Sequence, residues 1–159
     1  MTKEIERKFK VSGDGWRDEV SQSFLIEQAY LVAERERSVR VRIRTLLTGD
    51  GSSEPECFLT MKFGATAIST DEYEYSVPYE DARSLVSHAG DLTLTKLRHL
   101  VEFDGRTWEV DEFQGRHEGL VIVEIESEDA ESINNFPAWV GTEVTYDSYF
   151  KNASLVFAK

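Results

Sequence analysis

Charges of one sign recur two residues apart in segment after segment of this chain: Glu4 and Glu6, Arg40 and Arg42, Glu72 and Glu74, Lys96 and Arg98, Glu109 and Asp111, Glu124 and Glu126. Between them stand Ile5, Val41, Tyr73, Leu97, Val110 and Ile125. In a β-strand, residues i and i+2 share a face, so each segment reads as a strand with one charged and one apolar side. The ordinary fate of such a strand is a solvated face over a core. A solvated face, however, scatters Ser, Thr, Gln and charges of both signs. Like charges about 7 Å apart on one face repel weakly in water and far more in a pocket of low dielectric. Their repetition points to faces turned toward a common enclosed space.

Eight segments carry the strand pattern: 3–11, 24–34, 38–45, 57–63, 69–77, 94–103, 107–113 and 120–128. Asp104-Gly105 is a strong hairpin signal between two of them. Residues 48–56 read as a loop, and Pro78 ends the strand before it. Helical spacing over 79–89 ends at Gly90, and further helices are expected at 16–23 and 147–158. Short turns between successive strands favour an antiparallel sheet, and eight strands suffice to close one. The expected fold is α+β: a closed eight-stranded antiparallel barrel with a charged interior and flanking helices, one domain over residues 1–159.

Composition narrows the partners. Eighteen Lys and Arg against 30 Asp and Glu leave a net charge of −12, whose field repels nucleic acid and anionic membranes. Cys57 is the single cysteine, which excludes an intrachain disulfide and a multi-thiolate zinc site. No apolar run is long enough to span a bilayer, so a reduced, cytoplasmic protein is expected. The apolar outer strand faces need cover, which flanking helices or homodimerisation would supply.

The lining names its own ligand. Lys8, Arg40, Arg42, Lys62, Lys96 and Arg98 call for a polyanion with several closely spaced charges. The carboxylates among them would repel that anion unless they hold a hard divalent cation that also bonds phosphate oxygens. The expected occupant is therefore an oligophosphate with Mg2+ or Mn2+, cradled by side-chain cations in the absence of a Walker-type glycine loop. His88, His99 and His117 read as isolated packing or surface residues, and Trp108 and Trp139 as core.

The segment Glu4-Ile5-Glu6-Arg7-Lys8 matches the ExExK signature of the CYTH superfamily, the triphosphate tunnel metalloenzymes. Further matches follow in order: QAYL at 28–31, RVR at 40–42, TMK at 60–62, EYE at 72–74, KLR at 96–98, WEVD at 108–111, VEIE at 123–126 and VTYDSYFKNASL at 144–155. The chain resembles the small bacterial inorganic triphosphatases of that superfamily. The resemblance implies an eight-stranded tunnel acting on triphosphates with a divalent metal. It implies metal ligation by Glu4, Glu6, Asp111, Glu124 and Glu126, supported by Glu72, Glu74 and Glu109. It assigns phosphate binding to Lys8, Arg40, Arg42, Lys62, Lys96 and Arg98, with Lys151 joining from the final helix. It pairs Lys8 with Tyr30 near the reaction, with Glu4 and Glu6 holding the attacking water. Cys57 has no obvious base beside it, and no covalent intermediate is expected. Three other readings share these residues: a class IV adenylate cyclase, a nucleoside or thiamine triphosphatase, and a non-catalytic oligophosphate-binding module. Cyclase-type members usually carry His-Phe before the first motif, where this chain has Met1-Thr2-Lys3.

Overall fold

The computed structural model describes residues 2–64 and 69–157, with side chains described from Ile5 onward except at residue 130. Nine strands are present among them: β1 (Thr2–Val11), β2 (Val20–Ala33), β3 (Arg37–Leu46), β4 (Glu56–Gly64), β5 (Ser69–Ser76), β6 (Thr93–Phe103), β7 (Arg106–Phe113), β8 (Val121–Ser127) and β9 (Val140–Glu143). Two α-helices, α1 (Tyr79–Ser87) and α2 (Asn152–Leu155), accompany them. Every strand pairing is antiparallel, in the order β5-β4-β3-β2-β6-β7-β8-β1, and a β1–β5 pairing joins the ends. This is the expected closed eight-stranded barrel.

β1 is the closing strand. One edge follows β8 from Ile5↔Ser127 to Lys10↔Ile122. The other edge is divided: residues 2–5 pair with β5, and Phe9 and Val11 pair with the ninth strand, β9. The register slips between Phe9 and Val11, and there Gly141 approaches so closely that an added Cβ would lie 2.9 Å from the Lys10 carbonyl oxygen. Glycine is the residue that lets β9 dock. The β6–β7 hairpin turns on Asp104 (φ 51°) and Gly105 (φ 72°), the two left-handed residues of a tight hairpin loop.

The apolar cores lie outside the ring. On β1, β6, β7 and β8, the outward Phe9, Val101, Trp108, Val110, Val123 and Ile125 are covered by Trp16, Ile133 and Trp139 from connecting segments. On β3 and β4, Val41, Ile43 and Cys57 are covered by Ala82, Leu85 and Val86 of α1. Each large apolar side chain fully buried this way contributes about 1.5–3 kcal/mol, so much of the fold's stability is gained outside the barrel. A third apolar layer, Tyr30, Leu94, Phe113 and Ile122 against Val144, Leu155 and Val156, seats the C-terminal segment at one end of the ring.

Three expectations need correction. The helix expected at 16–23 is a 3-10 turn over Gly15–Glu19, after which β2 begins at Val20 and pairs directly with β6. The long terminal helix is a 3-10 turn, Ser148–Phe150, followed by the four residues of α2. Asp147 caps that turn by accepting the Tyr149 N–H, while Arg116 and the His117 ring bond the Val156 and Leu155 carbonyls. Those side-chain contacts occupy groups that a longer helix would need. β9 was not expected, because four residues containing a glycine show no alternation to read.

Arg7 ties β9 to β1 through two bonds to Glu143, at 2.9 and 2.8 Å. Arg7, opposed by partial burial and helped by Thr145, holds the Glu143 carboxyl below its usual range. A depressed carboxyl stabilises the fold above its unfolded pKa, near 4.5, and that contribution disappears as pH falls through the folded value. Glu143→Gln should therefore cost about 1 kcal/mol at pH 7, a value reduced by solvent screening, and nearly nothing once wild-type Glu143 is protonated. Denaturant unfolding at pH 7 and pH 3 checks this.

Candidate active site

The inward faces enclose a cavity of about 1070 Å³. Its walls differ in sign. β3 contributes Arg40, Arg42 and Arg44; four positions around the ring, β8 contributes Glu124 and Glu126. Glu6 of β1 stands opposite Glu126 in register, and Glu109 of β7 opposite Glu124, so the acidic wall spans β7, β8 and β1. Between the walls, β4 and β5 pair their charges: Lys62 lies 3.7 Å from Glu72, and the Thr60 hydroxyl donates to Glu74 at 3.1 Å. Lys8 Nζ sits 3.3 Å from Glu124 and 3.4 Å from Glu6, and donates to the Phe150 carbonyl at 3.2 Å. Burial would lower its pKa, but Glu124 and Glu6 outweigh burial and raise it.

Behind the acidic wall lies a dry ion network. Asp111 and Lys96 are wholly buried and do not line the cavity. Lys96 Nζ donates to Asp111 at 2.7 Å, and Arg98 donates to both Asp111 oxygens at 2.7 and 2.8 Å. Arg98 also reaches Glu109 at 2.8 Å and Glu124 at 3.2 Å. Burial works to raise the Asp111 carboxyl, and Arg98 and Lys96 override it to hold the group below its usual range. Glu109 differs: burial, opposed by Arg98 and reinforced by Glu126, Glu124 and Asp111, lifts it to about 7. Burial is the main cause, and the neighbouring carboxylates of the same wall add to it.

The basic wall is held differently. Arg40 is buried, and its Nε has no hydrogen-bond partner. Arg42 donates twice to the neutral Gln28 amide oxygen, at 3.2 and 2.8 Å. Burial, then Arg40 and Arg98, push the Arg42 guanidinium down to about 10. At the mouth, Arg44 bonds Glu56 and lies over the Phe24 ring. Lys151 faces the cavity from the C-terminal segment, lowered by partial burial and by neighbouring Lys8.

Comparison with known proteins decides the family. The CYTH domain model matches residues 2–156. The chain belongs to the CYTH domain family. It is 40% identical to an inorganic triphosphatase of Acetivibrio thermocellus over 157 residues, covering 98% of this chain and 94% of that protein. It is 32% identical over 158 residues to an inorganic triphosphatase of Nitrosomonas europaea, covering 98% and 97%. The crystal structure of an inorganic triphosphatase superposes with a TM-score of 0.64 at 31% identity, over 100% of this chain and 97% of that one.

The CYTH barrel brings Glu6, Lys8, Tyr30, Arg40, Arg42, Lys62, Glu72, Glu74, Arg98, Glu109, Glu124, Glu126 and Lys151 onto one cavity. Glu4 sits on β1 opposite Thr70, but its side chain lies outside the described residues. Lys96 and Asp111 share the lining parity yet stand behind the wall. Lys151 precedes α2 instead of lying on a long helix. His99 is not isolated: Ser23 Oγ lies 2.7 Å from its Nδ1 and Glu112 3.1 Å from its Nε2, outside the ring beside Trp16. Sequence reading did not assign to the site Gln28 and Thr60, uncharged residues that bond the lining side chains Arg42 and Glu74, or Arg35 and Arg37, which line the cavity at the β2–β3 turn where period two ends. Among the described residues, no three carboxylate, imidazole or thiol groups already converge as a preformed ion site. The acidic wall nonetheless offers hard oxygen donors, which is what Mg2+ or Mn2+ requires.

Removing the charge of Asp111 should test the buried network. Asp111→Asn leaves Lys96 and Arg98 without their shared carboxylate and should cost about 3–5 kcal/mol in denaturant unfolding. Adding Lys96→Met should restore part of that loss, as a coupled pair requires.

Proposed function

We propose that this chain hydrolyses inorganic triphosphate to pyrophosphate and phosphate with Mg2+ or Mn2+, as one CYTH domain over residues 1–159. The observation that carries the reading is the arginine pair on β3. Arg40 is buried and Arg42 half-buried, and among the described residues no carboxylate is hydrogen-bonded to either, across the cavity from the carboxylates of β7, β8 and β1. An oligophosphate whose outer oxygens bind a divalent cation satisfies both walls at once. The names of the relatives agree with that chemistry.

In this reading, Arg40, Arg42, Lys62, Lys8 and Lys151 bind the phosphate chain. Glu6, Glu124 and Glu126, with Glu4 of the same strand as Glu6, hold the metal, while Glu72, Glu74 and Glu109 set the charge around it. Asp111 is reassigned: both its oxygens are bonded to Lys96 and Arg98, so it acts as their counter-ion and not as a ligand. Lys96 and Arg98 correspondingly shape the acidic wall from behind. Bound there, Mg2+ or Mn2+ would neutralise phosphate oxygens and lower the pKa of a coordinated water. A carboxylate of the acidic wall takes the proton as water attacks the terminal phosphorus. The guanidinium groups of Arg40 and Arg42 hold the growing charge on the leaving pyrophosphate. The Lys8 ammonium and Tyr30 hydroxyl lie at the same end of the chamber and orient the chain.

The free, buried Cys57 suits a reducing compartment such as the cytoplasm. We also place a second copy of the chain on the outer face of β4 and β5. Phe63 and Tyr75 remain exposed there beside Met61 and Tyr73, residues outside the cluster that α1 covers. Sedimentation velocity should show a dimer that Phe63→Glu with Tyr75→Glu dissociates; a monomeric wild type would refute this pairing.

The activity is tested with tripolyphosphate, pyrophosphate and ATP, each with Mg2+, Mn2+ or a chelator, with products resolved. Tripolyphosphate should be cleaved fastest, and the chelator should abolish turnover. Arg42→Ala should lower kcat/KM at least about a hundredfold while the protein stays folded, since one buried charge-assisted contact to the reacting phosphate is lost. Conversion of ATP to cAMP in preference to tripolyphosphate cleavage would overturn the reading.

A further inference from the structure

Gln28 is 1% exposed and stands opposite Arg42 in the β2–β3 register. Its Oε1 accepts both Arg42 donors, and its Nε2 donates to the Tyr30 hydroxyl oxygen at 3.2 Å. Tyr30 stands opposite Arg40 in the same register. The amide orientation follows from its partners: guanidinium donors need the oxygen, so the NH2 faces Tyr30. A tyrosine hydroxyl has one proton and two acceptor sites. With Gln28 donating to the oxygen, the hydroxyl proton is turned away from the amide and is free to meet an anion in the cavity that Tyr30 lines.

Two other cations nearby are matched by carboxylates: Arg98 by Asp111, Glu109 and Glu124, and Lys8 by Glu6 and Glu124. Arg42 is held as firmly, but by an uncharged group. We infer that Gln28 is a positioning residue that fixes Arg42 without cancelling its charge and that turns the Tyr30 hydroxyl proton toward bound phosphate. The inference rests on the triphosphate reading above and specifies how that site keeps its anion affinity. A glutamate of the same shape would undo both effects. Its carboxylate would pair with Arg42, and it would accept the Tyr30 proton.

The test is isothermal titration of metal-free protein with sodium tripolyphosphate, alongside thermal unfolding of the unliganded protein. Gln28→Glu should weaken tripolyphosphate binding at least about tenfold, because one buried charge-assisted contact is neutralised. Its thermal midpoint should not fall, because the new carboxylate faces the Arg42 guanidinium. Binding within twofold of wild type would overturn the inference while leaving the triphosphate reading intact. Failure of wild type to bind tripolyphosphate both in this titration and in one repeated with Mg2+ would overturn that reading, and this inference with it. Should Gln28→Glu not fold, Gln28→Met decides the matter. It keeps the length of the side chain and the charge of Arg42 but deletes both amide contacts. A fall in kcat of at least about tenfold, with KM changed less, is expected from the lost direction of the Tyr30 proton; unchanged kcat overturns the inference.

Discussion

A charge taken out of water must find an opposite charge or a strong hydrogen bond, and this barrel is built around that requirement. Its interior holds Lys8, Lys96, Arg40, Arg98, Asp111 and Glu124 with almost no exposure. Leaving one such charge unpaired costs about 3–5 kcal/mol, a large share of the 5–15 kcal/mol by which a domain is stable. The chain can afford few such defects. Where it matches cation to carboxylate, as at Lys96–Asp111–Arg98, the wall is structural. Where it declines to match them, as at Arg40 and Arg42, the imbalance is a demand for something from outside.

That arrangement is possible because the hydrophobic work is done elsewhere. In most small barrels the inward faces are the core. Here Phe9, Trp108, Val110, Val123 and Ile125 point outward under Trp16 and Trp139, and Val41 and Ile43 lie under α1. Connecting segments that would otherwise be loose loops thus become load carriers. The ninth strand is an example. It continues the edge of β1 where β5 stops, is fastened by Arg7 to Glu143, and leads into the segment whose Phe150 carbonyl accepts Lys8. Outer packing and inner charge are joined along one stretch of chain.

The strands and the lining were legible because both obey the same period of two. β3, β6, β7 and β8 could be placed within a residue or so from Arg40-x-Arg42, Lys96-x-Arg98, Glu109-x-Asp111 and Glu124-x-Glu126. Period alone could not say which lining residues meet the cavity, because depth along the barrel is a tertiary property: Asp111 and Glu109 share a face, yet only Glu109 reaches the space. Nor could it find Gln28, whose neutrality hides it in a search for charges, or β9, whose Gly141 matters for its missing side chain. The His99 contacts escaped because Ser23 and Glu112 come from two other strands and become neighbours only through register.

The two walls also bear on the size of the anion. Arg40 and Arg42 are two residues apart, about 7 Å along β3, and Arg42 is held by its hydrogen bonds to Gln28. A chain of phosphates can lie along the strand and meet both. The carboxylates of β8 repeat the same spacing on the opposite side. Lys62 and Lys151 extend the positive surface toward the mouth. An oligophosphate suits that geometry: the repeat distance of an extended backbone sets the distance between charges, and a chain of phosphates carries its own charges at regular intervals.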